Sequence, residues 1–149
     1  MSHHPPRLPV LKTQFTAFRL VDTAPDTVAR FWASIRCPPI GNACWSWRPE
    51  RRRGCEPVLS IRGRPVHAAR IAHYAVTGDW PLAYRRIRTC SNPLCVRPSH
   101  GRWQLGTTTR RALDALEVSY REVSTPVSVE MEIAAARRAG VIDQLWAAD

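Results

Sequence analysis

Three soft metal ligands fall within one stretch of eleven residues, "CSNPLCVRPSH": Cys90, Cys95 and His100, with four residues between each. A tetrahedral zinc site of the closed, structural kind takes four such ligands, commonly three cysteines and a histidine. The fourth must therefore come from a distant stretch, so two parts of the chain have to fold onto one ion. Cys44, beside Trp45 and Trp47 in "CWSW", is the best candidate, and Cys37 and Cys55 stay open. "SNP" and "VRPS" between the ligands are rich in turn-forming residues, as a loop wrapped around an ion requires. Five cysteines is an odd count in a chain with no run resembling a secretory leader, which favours a metal over a disulfide framework. A fully ligated site leaves no position for a reactive water, so the expected zinc is structural.

Much arginine surrounds this cluster. Residues 44–111 hold 14 basic and 3 acidic groups, net +11, whereas residues 112–149 hold 3 and 7, net −4. Only Lys12 among the 22 basic residues is a lysine. The guanidinium fork suits bidentate phosphate binding, so a polyanion, most simply DNA with RNA as the alternative, is the expected partner of the middle segment. The candidate contacts are Arg51, Arg52 and Arg53 after "CWSW", Arg62 and Arg64 at a hairpin turn, and Arg70, Arg85, Arg86, Arg88, Arg97, Arg102, Arg110 and Arg111 around the cysteines. No stretch is apolar enough to span a membrane.

The rest reads as an α+β chain. Residues 1–23 are expected to be an arm, 24–118 the metal-binding domain and 119–149 a helical tail. Val28, Phe31, Trp32 and Ile35 share one helical face over 24–35. "VLSI" is a strand, with a hairpin turn at Gly63-Arg64, and a helix follows from about Ala68 to a stop near Gly78. "LAYRRIR" and "GRWQLGT" read as strands on either side of the cysteines. Helices are expected over about 109–118 and after Ser124, Thr125 or Ser128, the latter ending at Gly140. Val141, Ile142, Leu145 and Trp146 make the tail a candidate docking element for the body or a protein partner.

"CWSW", "IRGRPVHAARIAHYAVTGDWP" and "CSNPLCVRPSHGRWQLGT" occur in an order that resembles the zinc-containing HNH endonucleases found in phages. They are also similar to the His-Cys box homing endonucleases. The resemblance runs from about Phe31 to Arg111. It implies a ββα-metal core stapled by zinc on Cys44, Cys90, Cys95 and His100, and a cytoplasmic, nucleoid-associated protein.

The resemblance also implies a catalytic histidine two residues before the first cysteine of the box, acting as general base. Arg88 stands there. The family's metal-holding Asn or His on the next helix falls near Thr109 to Arg111, where neither residue occurs, and its "AHR" reads Ala68-Ala69-Arg70. Arginine does not give up its proton near neutral pH, and it repels Mg²⁺. It does grip phosphate. The expectation is an HNH-like zinc protein that binds DNA and has lost cleavage. The alternatives are an active endonuclease with a divergent site, using Mg²⁺ with His67 or His73 as base, and an adaptor subunit of a larger nucleoprotein complex.

Overall fold

The computed structural model describes residues 9–36, 41–48, 56–81, 85–104, 111 and 127–141. Among them are four helices and two small antiparallel sheets. The chain begins with α1 (Pro9–Asp22) and α2 (Thr27–Ala33). The hairpin β1 (Val58–Ile61) and β2 (Arg64–His67) leads directly into α3 (Ala68–Thr77). A second pair, β3 (Arg85–Arg88) and β4 (Gly101–Gln104), follows, and α4 (Val129–Arg138) lies near the C-terminus.

The expected arm is helical from Pro9 onward. Its Ala17, Phe18, Leu20 and Val21 pack on the core, and Phe18 meets Tyr74 edge-on at 5.9 Å. Apolar residues three and four apart make that stripe, which the proline-rich start of the chain obscures. In α2, Phe31 and Trp32 are buried as their spacing predicts.

The first hairpin turns one residue earlier than expected. Arg62 and Gly63 are the turn residues, with φ of 51° and 79°. Two successive left-handed residues make the two-residue connection whose twist matches that of the strands. Arg62 holds its unusual backbone while its Nη2 donates to the Thr23 carbonyl (2.9 Å). Leu59, Ile61 and Val66 point into the core. Gly78, with φ of 78°, ends α3.

α3 is central. Ala68, Ile71, Ala72 and Val76 are buried along it, together with the polar Arg70 and His73. α4 packs on α3 through Ala135 and Ala136. Its start is capped by Ser128, whose Oγ accepts from the Met131 amide at 3.2 Å. Trp45 and Trp47 are fully buried; Trp32 lies against Trp45 at 5.2 Å and Phe31 stacks on Trp47 at 5.9 Å.

His73 is 1% exposed and lies edge-on to Trp103, and its Nε2 has no hydrogen-bond partner among the described residues. This burial removes it as a candidate base. Desolvation brings its pKa down to about 4, opposed by Asp79 and helped by Arg70. The unfolded chain titrates near 6.5, so it takes up the proton first as pH falls. Stability is therefore expected to drop between pH 6.5 and 4, by up to about 3 kcal/mol from this residue. Urea unfolding across that range should show His73→Phe losing less stability than the wild type. Parallel curves would show that His73 does not drive the loss.

Candidate metal centre

β3 and β4 pair in the register Arg88 opposite Gly101, which closes a twelve-residue loop, 89–100, between two adjacent strand ends. The Thr89 amide donates to the His100 carbonyl at 2.8 Å. Cys90 and His100 are thereby brought together from the two ends of the loop. Within it, the Asn92 side chain accepts from the Leu94 amide (3.0 Å), and its amide group donates to Ser46 Oγ (2.8 Å). This Asx turn is the local structure that "SNP" favours. The Cys95 amide then donates to the Asn92 carbonyl at 3.1 Å.

The fourth ligand arrives on a neighbouring strand-like segment. Ser46 bridges Cys95, the Val96 amide donates to the Trp45 carbonyl (2.9 Å), and the Trp47 amide donates to the Leu94 carbonyl (2.9 Å). These bonds lay residues 44–47 along the loop and aim Cys44 at it. One ligand atom from each of Cys44, Cys90, Cys95 and His100 lies within 4.8 Å of the others. His100 Nδ1 is 3.4 Å from Cys44 Sγ and 3.5 Å from Cys95 Sγ. Ligands bound at about 2.3 Å around a tetrahedral ion stand roughly 3.8 Å apart, so the donor set and spacing fit such an ion. The four residues proposed from the sequence are thus gathered at one point. Cys37 and Cys55 lie outside the described residues.

Other contacts prepare the ligands. His100 Nε2 is 3.1 Å from Asn42 Oδ1. That places the ring proton on Nε2 and leaves the Nδ1 lone pair facing the thiols, the usual outer contact of a metal-binding histidine. Burial, then Arg97, lowers the His100 pKa, which keeps the ring neutral. Burial pushes the Cys95 thiol up to about 12. Burial also raises Cys90, but hydrogen bonding at Asn92, the neighbouring thiols and Arg88 outweigh it and leave that pKa lowered. An ion here has to displace thiol protons, so its affinity must weaken as the pH is lowered. When bound, it supplies a cross-link between residue 44 and the 90–100 loop.

The arginines separate into two groups. Arg97 is 0% exposed. Its Nε donates to Glu132 Oε1 (2.9 Å), and its two Nη groups donate to the carbonyls of Ala43 (2.7 Å) and Gly41 (2.6 Å). Arg70 is 5% exposed, donates to the Pro81 carbonyl (2.7 Å) and lies 4.8 Å from the centre of the Trp103 ring. Neither offers its guanidinium to a large partner, which corrects the sequence reading of both. Fully engaged, buried cations serve the fold here. Arg86 is half-buried and donates to the carbonyls of Cys95 and Arg97. Gly101 makes room for it: a Cβ there would stand 2.4 Å from Arg86 Nε.

Arg62, Arg64, Arg85, Arg88, Arg102 and Arg111 are exposed. Arg51, Arg52, Arg53 and Arg110 lie outside the described residues, as do the helix expected over 109–118, apart from Arg111, and the apolar tail residues Ile142, Leu145 and Trp146. Two adjoining hollows border β3. Arg86 and Arg88 line one, Arg70, Arg85, Arg86, His67 and Trp103 the other, and Glu56, Ala69 and Arg86 are common to both. Among the described residues Glu56 is the one carboxylate in either lining. Arg88 is fixed at its base, Nε donating to the Cys90 carbonyl at 2.9 Å. His67 Nδ1 stands 3.9 Å from Glu56 Oε2.

Sequence reasoning missed Asn42, Glu56 and Glu132. Glu132 carried a signal: it lies three and four residues before Ala135 and Ala136, on the buried face of α4. Asn42 and Glu56 carried none.

A scan against protein-family models returns no match, and comparisons with curated proteins and with solved structures return none either. No helix among the described residues is long and apolar enough to cross a membrane.

Proposed function

We propose that this chain is an HNH-like protein that binds DNA through the arginine-lined groove beside β3, with zinc as the staple of its fold. The observation that carries this reading is Arg88. Its Nε is tied to the metal loop at Cys90 while the side chain stays exposed and lines the hollow with Arg86. A guanidinium anchored at one nitrogen is pre-oriented, so its other two nitrogens can meet a phosphate with little loss of side-chain freedom. The order β3, ligand loop, β4 suits a ββα-metal core, whose helix would fall near 109–118. In such a core Arg88 takes the position of the general base, and arginine binds where a base would cleave.

Duplex DNA binding, followed by fluorescence anisotropy, should weaken steeply with salt, the log–log slope counting about 0.9 per phosphate contacted. Arg88→Ala should weaken binding by roughly fivefold to 150-fold, about 1–3 kcal/mol for a charge-assisted bond. It should also reduce the slope. Salt-independent affinity, or an Arg88→Ala protein that binds normally, would remove this reading. Equal affinity for duplex RNA would widen it to nucleic acid in general.

A second reading is favoured by the His67–Glu56 pair, which faces the same groove. A carboxylate beside an exposed imidazole can orient a general base, and nearby arginines can hold a phosphodiester. In that case purified protein nicks plasmid, with Mg²⁺ or without it, and His67→Ala abolishes the activity.

A further inference from the structure

Helix α4 brings one carboxylate into the interior. Glu132 is 0% exposed and accepts three hydrogen bonds, one of them from a cation. Oε1 takes the Arg97 Nε donor (2.9 Å) and the Ser99 hydroxyl (2.6 Å), and Oε2 takes the Ser99 amide (3.0 Å). Arg97 and Ser99 both belong to the stretch between the ligands Cys95 and His100. The same Arg97 reaches across to the carbonyls of Gly41 and Ala43, next to the ligand Cys44 and to Asn42, which holds His100. Its guanidinium lies 5.4 Å from the centre of the Trp45 ring. One side chain of α4 thus governs both segments that must meet at an ion, though none of its atoms is a ligand.

We infer that Glu132 is a positioning residue of the metal centre, and that docking of α4 and metal binding stabilise one another. The inference rests on the reading of Cys44, Cys90, Cys95 and His100 as a metal site. The physical basis is mutual ordering. Without α4, Arg97 would be a buried cation lacking its counter-ion, a costly state that the loop relieves by opening to water. An open loop separates Cys95 from His100 and releases the 41–44 segment. Conversely, an ion that fixes the four ligands holds Arg97 and Ser99 in place to receive Glu132. Linkage requires each event to favour the other by the same factor.

The test uses the full chain with Zn²⁺ as the probe. Competition against a chromophoric chelator should show Glu132→Gln binding Zn²⁺ at least tenfold more weakly than the wild type, while Glu130→Gln, on an exposed position of the same helix, binds normally. Hydrogen exchange of the wild type should show the amides of 129–138 better protected, by tenfold or more, with Zn²⁺ than without. This second measurement stands even where Glu132→Gln does not fold. A folded Glu132→Gln protein with unaltered affinity overturns the inference, and so does protection of α4 that ignores the metal. Absence of Zn²⁺ binding by the wild type overturns it together with the metal site on which it rests.

Discussion

Chelation of zinc from the purified protein is expected to unfold the region that joins residues 41–48 to 90–104. Structural zinc contributes on the order of 10 kcal/mol to small domains that depend on it. The dependence here follows from what else holds these segments. Among the described residues, what joins 41–48 to the loop is a few backbone hydrogen bonds, the Arg97 bonds to the Gly41 and Ala43 carbonyls, the Asn92–Ser46 and His100–Asn42 side-chain bonds, and the packing of Trp45 and Trp47. Without an ion, the two thiols and the imidazole nearest each other are joined only by weak thiol hydrogen bonds to Nδ1, at 3.4 and 3.5 Å. Cys44→Ser should remove zinc and lower Tm by more than about 10 °C, since each 1 kcal/mol lost shifts Tm by roughly 2–4 °C or more in chains of this size. Tryptophan fluorescence reports it directly, because both indoles are fully buried. Metal analysis should find one zinc per chain. A chelated protein that keeps its fluorescence and Tm would show that the cluster is not a staple.

The sequence disclosed most of what is local. The face of α2 and the stop of α3 at Gly78 follow from short patterns, as do the three ligands Cys90, Cys95 and His100, while Cys44 was the best of three distant candidates and Ser128 one of three candidate caps. The turn of the first hairpin was displaced by one residue because composition shows where a glycine lies, not which of two left-handed sites it fills. Arginine roles were the least legible. Arg85, Arg86, Arg88 and Arg97 look alike as letters, yet one is fully enclosed, one half-buried and two exposed. Burial of a cation depends on a counter-ion found 35 residues away, between Arg97 and Glu132. No local window contains that pairing. The buried helix face of Glu132 was the only trace of it.

That pair yields the second large effect. Arg97→Ala is expected to destabilise the protein by about 3–5 kcal/mol, because it leaves the Glu132 carboxylate enclosed without its cation. It also strips the Gly41 and Ala43 carbonyls of their donors. Arg97→Lys should restore only part of this, since a single ammonium cannot reach in three directions as the planar guanidinium does. Urea unfolding at fixed zinc concentration measures both. An Arg97→Ala protein within about 1 kcal/mol of wild type would mean that Glu132 takes a proton or finds water at little cost. The double variant Arg97→Met/Glu132→Leu separates charge from position. Replacing both ions by apolar groups removes the uncompensated charge, so much of the stability should return, short of what Ser99 loses when its amide and hydroxyl have no acceptor. Zinc affinity should stay low in the same protein, because the Arg97 bonds that hold the Gly41 and Ala43 carbonyls to the loop are then gone. Recovery of stability without recovery of affinity is the outcome that only a positioning role produces.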